Sequence, residues 1–67
     1  MKKLEVRLQQ CGQGRFEVFG RAGRIGMVLG GRGVWSAEAG KAQLGTAPTR
    51  GGAVQMVALK AAVDGKL

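Results

Sequence analysis

The run Leu44-Gly45-Thr46-Ala47-Pro48-Thr49-Arg50-Gly51-Gly52-Ala53-Val54-Gln55-Met56-Val57 changes its apolar period part-way along, and that change decides the fold. Before Pro48 the apolar residues alternate: Ala42 and Leu44 share one face of a short extended segment. From Thr49 the spacing becomes three and four. Ala53, Met56, Val57, Lys60 and Ala61 line one stripe, which Val54, Ala58 and Val63 widen. Period two belongs to a strand and period 3.6 to a helix. Thr49 suits the N-cap, because its hydroxyl can accept from an amide of the first turn that has no helical partner. Pro48 keeps the helix from starting earlier, and Gly65 is the expected C-cap. The spacing predicts a helix from about Arg50 to Val63. Gly51 and Gly52 weaken its first turn by roughly 1 kcal/mol each relative to alanine.

Upstream the pattern is all strand and turn. Leu4-Glu5-Val6-Arg7-Leu8 alternates strictly, Gly12-Gln13-Gly14 turns the chain, and Arg15 to Phe19 follows with Phe16 and Val18 on one face. Gly20 to Gly23 makes the next turn. Arg24 to Leu29 reads as a strand with Ile25, Met27 and Leu29 sharing a face. Gly30-Gly31-Arg32-Gly33 turns into Val34 to Ala39, and Gly40-Lys41 leads to the Ala42 segment. The expectation is an α+β domain: an antiparallel sheet of four or five short strands, then one C-terminal helix covering one face as a second layer. A closed five-strand barrel with the helix as an appendage is the competing arrangement. The 67 residues read as a single domain, residues 1–22 forming an N-terminal hairpin and residues 24–64 a β-β-β-α unit.

Composition narrows the function classes. Sixty-seven residues make a marginal core, and the single cysteine, Cys11, excludes an internal disulfide. There is no histidine, so zinc-finger chemistry and the usual neutral-pH acid–base group are both missing. Glu5, Glu17, Glu38 and Asp64 are scattered, and Ser36 has no base to activate it. The expectation is a protein that is not an enzyme and uses no metal or cofactor. The Gly30–Gly33 segment joins two strands and does not open a helix, so it lacks half of a phosphate cradle. No run approaches the ~20 apolar residues of a membrane span. Met1-Lys2-Lys3 resembles the start of a signal peptide, but Glu5 and Arg7 interrupt any apolar segment behind it, and a cytoplasmic location is expected.

Eleven Lys/Arg against four Asp/Glu leave a formal charge of +7, more than solubility requires, so a polyanionic partner is expected. With the sheet drawn as above, Arg24, Arg32 and Lys41 share the face opposite the helix, and Gly26 and Gly30 leave that face flat. Phe16 and Trp35 read as core, so a ring-lined single-strand platform is disfavoured. Glu38 among those cations reads first as the partner of a neighbouring arginine, and second as an acceptor from a cytosine amine.

Gly33-Val34-Trp35-Ser36-Ala37-Glu38-Ala39, then Leu44-Gly45-Thr46, then Thr49 opening an alanine-rich helix, resembles the plant ethylene-response-factor (APETALA2-type) DNA-binding domain and the related N-terminal domains of tyrosine integrases. The resemblance covers residues 33–65. It implies a three-stranded sheet against one helix, with the open sheet face in the DNA major groove. Trp35, Ala37, Ala39, Ala42 and Leu44 would face the helix, and Ser36, Glu38, Lys41 and Gln43 the DNA. On that groove face, Gly26, Val28 and Gly30 would stand where the family carries arginines. The resulting expectation is a small DNA-binding protein of phage or plasmid-accessory type, contacting duplex DNA through Arg24, Arg32, Lys41, Gln43, Ser36 and Glu38, with Arg15, Arg21 and Arg50 as secondary basic candidates. RNA is a second possible ligand. A protein-interaction module pairing through a sheet edge or flat face, with an acidic partner or with its own copy as a homodimer, is the rival from a different class.

Overall fold

The structure, a computed structural model, describes residues 6–21 and 23–65. Leu4 and Glu5 of the first alternating stretch and Ala22 of the second turn lie outside the described residues. Five strands, β1 (Arg7–Gly12), β2 (Arg15–Gly20), β3 (Gly23–Gly31), β4 (Val34–Ala39) and β5 (Ala42–Ala47), precede the helix α1 (Arg50–Val63). Every neighbouring pair is antiparallel and the sheet order is β1-β2-β3-β4-β5. This is an open meander, so the two-layer arrangement holds and β1 and β5 remain edges. The N-terminal hairpin and the β-β-β-α portion share one continuous sheet.

Local chemistry explains the connections. The β3–β4 loop is two residues long, and both of them, Arg32 (φ 50°) and Gly33 (φ 83°), have positive φ. That is the type I′ pattern, whose twist matches the strands it joins. At the helix start the Gly52 N–H donates to Thr49 Oγ1 at 3.0 Å, so Thr49 is the cap. The Gly65 backbone is left-handed just past the C-cap Asp64, and its N–H donates to the Ala62 carbonyl.

The core lies between α1 and strands β2 to β5. Val18, Val28, Ala37, Ala53 and Val57 are fully buried, and Ile25 and Ala61 nearly so. The largest fully buried side chains are three valines, a small core that needs close approach. Small residues provide it. A Cβ built on Gly26 would meet Val57 Cγ1 at 2.6 Å, and one on Gly45 would meet the Met56 methyl at 3.0 Å. Lys60 and Val63 fall outside the buried stripe; Val63 is 82% exposed, and Lys60 instead pairs with Asp64 at 3.5 Å.

One face assignment is corrected. Gly26, Val28 and Gly30 lie on the helix side of the sheet, Gly26 directly against Val57, whereas Met27 and Leu29 lie on the open side. The cause is a bulge. Val18 pairs with Gly26 but Phe19 pairs with Arg24, so Ile25 is an extra residue and the alternation slips by one. A second bulge makes Leu44 the extra residue of β5, between Gln43 opposite Glu38 and Gly45 opposite Ala37. Leu44 packs on the core as expected, while Ala42, opposite Ala39, is exposed.

Candidate nucleic-acid interface

Cross-strand partners share a face, so the register lays out the open side in rows. The middle row runs Gln9, Glu17, Met27, Glu38, Gln43 from β1 to β5. Beside it run Arg15, Leu29, Ser36 and Thr46 on one flank, and Arg7, Phe19 and Arg24 on the other. No helix among the described residues covers this side. Ser36, Glu38 and Gln43 therefore stand together on it, as expected, beside Arg24. Arg7, Gln9 and Thr46 also belong to it, beyond the residues expected there. Their signal was available: Arg7 and Gln9 continue the period of two, and Thr46 pairs with Ser36 once the Leu44 bulge is counted.

The three cations expected on one flat face are not side by side. Arg24 is in β3, while Arg32 and Lys41 sit in the β3–β4 and β4–β5 turns, at opposite ends of β4. Six residues of strand separate those ends by about 20 Å. Lys41, Arg24, Arg21 and Arg7 occupy one end of the sheet; Arg32 and Arg15 occupy the other. Arg50 is also at the second end but turns to the helix side, its guanidinium carbon 4.8 Å from the centroid of the Phe16 ring. Phe16 in turn lies 6.0 Å from Trp35 at 47°, and both are only partly exposed against the core. Such stacking holds the guanidinium by a cation–π attraction.

The ion pair expected for Glu38 forms elsewhere. Arg24 Nε lies 3.2 Å from Glu17 Oε2, and this and Lys60–Asp64 are the ion pairs among the described residues. Glu17 is diagonal to Arg24 across the β2–β3 bulge, which brings the two together; Glu38 faces Met27 and Gln43 instead. Arg7, Arg15, Arg21, Arg32, Lys41 and Arg50 keep their charge unpaired among the described residues. Arg32 is also the one non-glycine described residue with positive φ. The left-handed region costs a side-chain-bearing residue roughly 1–2 kcal/mol, and Asn or Gly is the ordinary occupant of such a turn. The chain thus holds a cation at a position where local stability favours another residue.

Among the described residues no three His, Cys, Asp or Glu side chains converge as metal ligands, and no helix is long and apolar enough to cross a membrane. Cys11 is exposed and free. Compared with known proteins, the chain matches no family model, no curated protein and no solved structure.

Proposed function

We propose that the protein binds duplex DNA through the open face of its sheet, without catalysing a reaction. The observation that carries this reading is the layout of charge on that face. Cations that are unpaired among the described residues stand at both ends of the strands, Arg15 and Arg32 at one and Arg7, Arg21 and Lys41 at the other. Between them lie hydrogen-bonding side chains, Ser36, Glu38, Gln43, Thr46 and Gln9. A groove reader needs this order: phosphate contacts on two walls to set orientation, and polar groups between them to meet base edges. The cost of keeping Arg32 in a left-handed turn supports the same reading, since strained backbone positions cluster at functional sites. The flat glycine face is replaced in this reading by a face bearing Met27 and Leu29, which offers apolar contact to thymine methyl groups.

B-form DNA is preferred over RNA because the A-form major groove is too deep and narrow for side chains to read. A phage- or plasmid-type accessory role in a reducing cytosol fits the small size and the exposed free Cys11.

The test is duplex binding titrated across salt. The logarithm of affinity should fall with the logarithm of salt at a slope near −0.9 per phosphate contacted. Replacing Arg32 or Lys41 by alanine should flatten the slope by about one unit each, on any sequence. Arg24→Ala should do less, because Glu17 already engages that charge. A slope near zero, or an Arg32/Lys41 double variant that keeps its circular dichroism and binds as the parent does, would end this reading.

A further inference from the structure

We propose that β1 is a self-pairing edge, through which two copies of this chain join antiparallel along Arg7–Gly12 and fuse their sheets into one of ten strands. The two edges of the sheet are not equivalent. The helix packs over β5, and the extra residue Leu44 interrupts that strand's pairing in its middle. Nothing among the described residues covers β1. Every residue from Arg7 to Cys11 is exposed, and the register with β2 is regular over Arg7–Gln10, shifting only before Gly12. An edge strand leaves a row of backbone N–H and C=O groups open, and proteins ordinarily guard it with lysine, proline or a central bulge. From Leu8 to Gly12 the strand reads Leu-Gln-Gln-Cys-Gly and carries neither lysine nor proline, and its one bulge, at Cys11, lies at the end of the strand and not in its middle.

Charge and symmetry select the occupant. Arg7 is the only charged residue of β1, so an acidic strand would find a single complementary group there. A two-fold axis perpendicular to the fused sheet keeps each face on its own side, so a pairing centred on Gln9 sets the Gln9 side chains of the two copies against one another. It places Leu8 opposite the partner's Gln10, and puts the two Arg7 side chains toward opposite ends. Those two side chains stand about 13 Å apart along the strands, beyond a Debye length of ~8 Å at physiological salt. An open groove of ≈360 Å³ lined by Arg7, Leu8, Gln9 and Phe19 runs along this same edge and would be narrowed by the second copy. The half-exposed Leu8 would gain cover, which matters for a domain whose largest fully buried side chains are valines.

This inference does not rest on the DNA reading, and salt separates the two. Each copy carries +7, so screening should strengthen self-association while weakening DNA binding. Sedimentation equilibrium without nucleic acid, from about 10 µM to about 1 mM, should show a dimer whose fraction rises with concentration and with salt. Nuclear magnetic resonance spectra of the unmodified chain on dilution should move the amides of Arg7–Gly12. Successive N–H groups point to opposite sides of a strand, so of Gln9→Pro and Gln10→Pro one removes an outward donor and should give a folded monomer. A monomer at about 1 mM overturns the proposal. So do dilution shifts that fall on the outer helix face around Leu59 and Val63, or folded proline variants that both dimerise like the parent.

Discussion

Gly26 and Arg32 carry opposite lessons about single residues. Gly26 reads from the sequence as a residue that flattens a binding surface, yet it is the point at which helix and sheet touch. A Cβ there would overlap the Glu38 carbonyl oxygen, a backbone atom, as well as Val57 Cγ1 at 2.6 Å. Gly26→Ala should therefore cost about 1–3 kcal/mol, the usual range for forcing an extra methyl into a packed core. Chemical denaturation measures it, and a neutral outcome would mean that the helix does not sit on β3 as described. At Arg32 the backbone is left-handed, and Asn-Gly is the favoured pair for the two-residue turn that it begins. Arg32→Asn should raise stability by up to ~1 kcal/mol while weakening duplex binding. A variant that gains stability and loses affinity separates the two roles; one that loses both places Arg32 in the fold alone.

Within α1 the two glycines of the first turn look interchangeable by propensity, and packing makes them different. A Cβ on Gly51 meets nothing within 4 Å, whereas one on Gly52 meets Ala47 Cβ at 3.1 Å and the capping Thr49 Oγ1 at 3.2 Å. Gly51→Ala should collect most of the ~1 kcal/mol helix-propensity gain, which for a domain of this size raises the midpoint by roughly 4–8 °C. Gly52→Ala should gain much less, because the new methyl crowds the cap. Thr49→Ala should cost about 1 kcal/mol by leaving a first-turn amide unpaired. Thermal melts followed by circular dichroism check all three, and equal gains at positions 51 and 52 would contradict the cap geometry. The helix itself was legible because its cap, period and terminal glycine all agree. The later face of β3 was not, because the extra residue Ile25 reverses every side chain after it, and in β5 the bulge at Leu44 hid Thr46 although Gln43 and Leu44 were legible.

Across the whole molecule the helix unites β2 to β5 and leaves β1 outside the core. Val18 makes β2 part of that core, although sequence divides residues 1–22 from the rest. Amide exchange in dilute solution should therefore find two levels of protection, with β1 opening below the global free energy and β2 to β5 exchanging together with α1. Uniform protection of β1 and β2 as one separate hairpin would restore the division. The same layout governs the interface. A face bounded by turns presents its turn residues at both ends, and so Arg32 and Lys41 stand about a strand length apart.

The amino-acid sequence by itself determined the element order, the helix between Thr49 and Gly65, and the excess of positive charge. Each of these depends on neighbours within a few residues, where capping, backbone preference and periodicity act. Only the tertiary structure decided which side of β3 meets the helix, which carboxylate takes Arg24, and which edge stays uncovered. Those outcomes depend on cross-strand register: the Ile25 bulge turns Val28 inward and Met27 outward, and brings Glu17 rather than Glu38 to Arg24. Register is a relation between segments distant along the chain, and no local spacing encodes it.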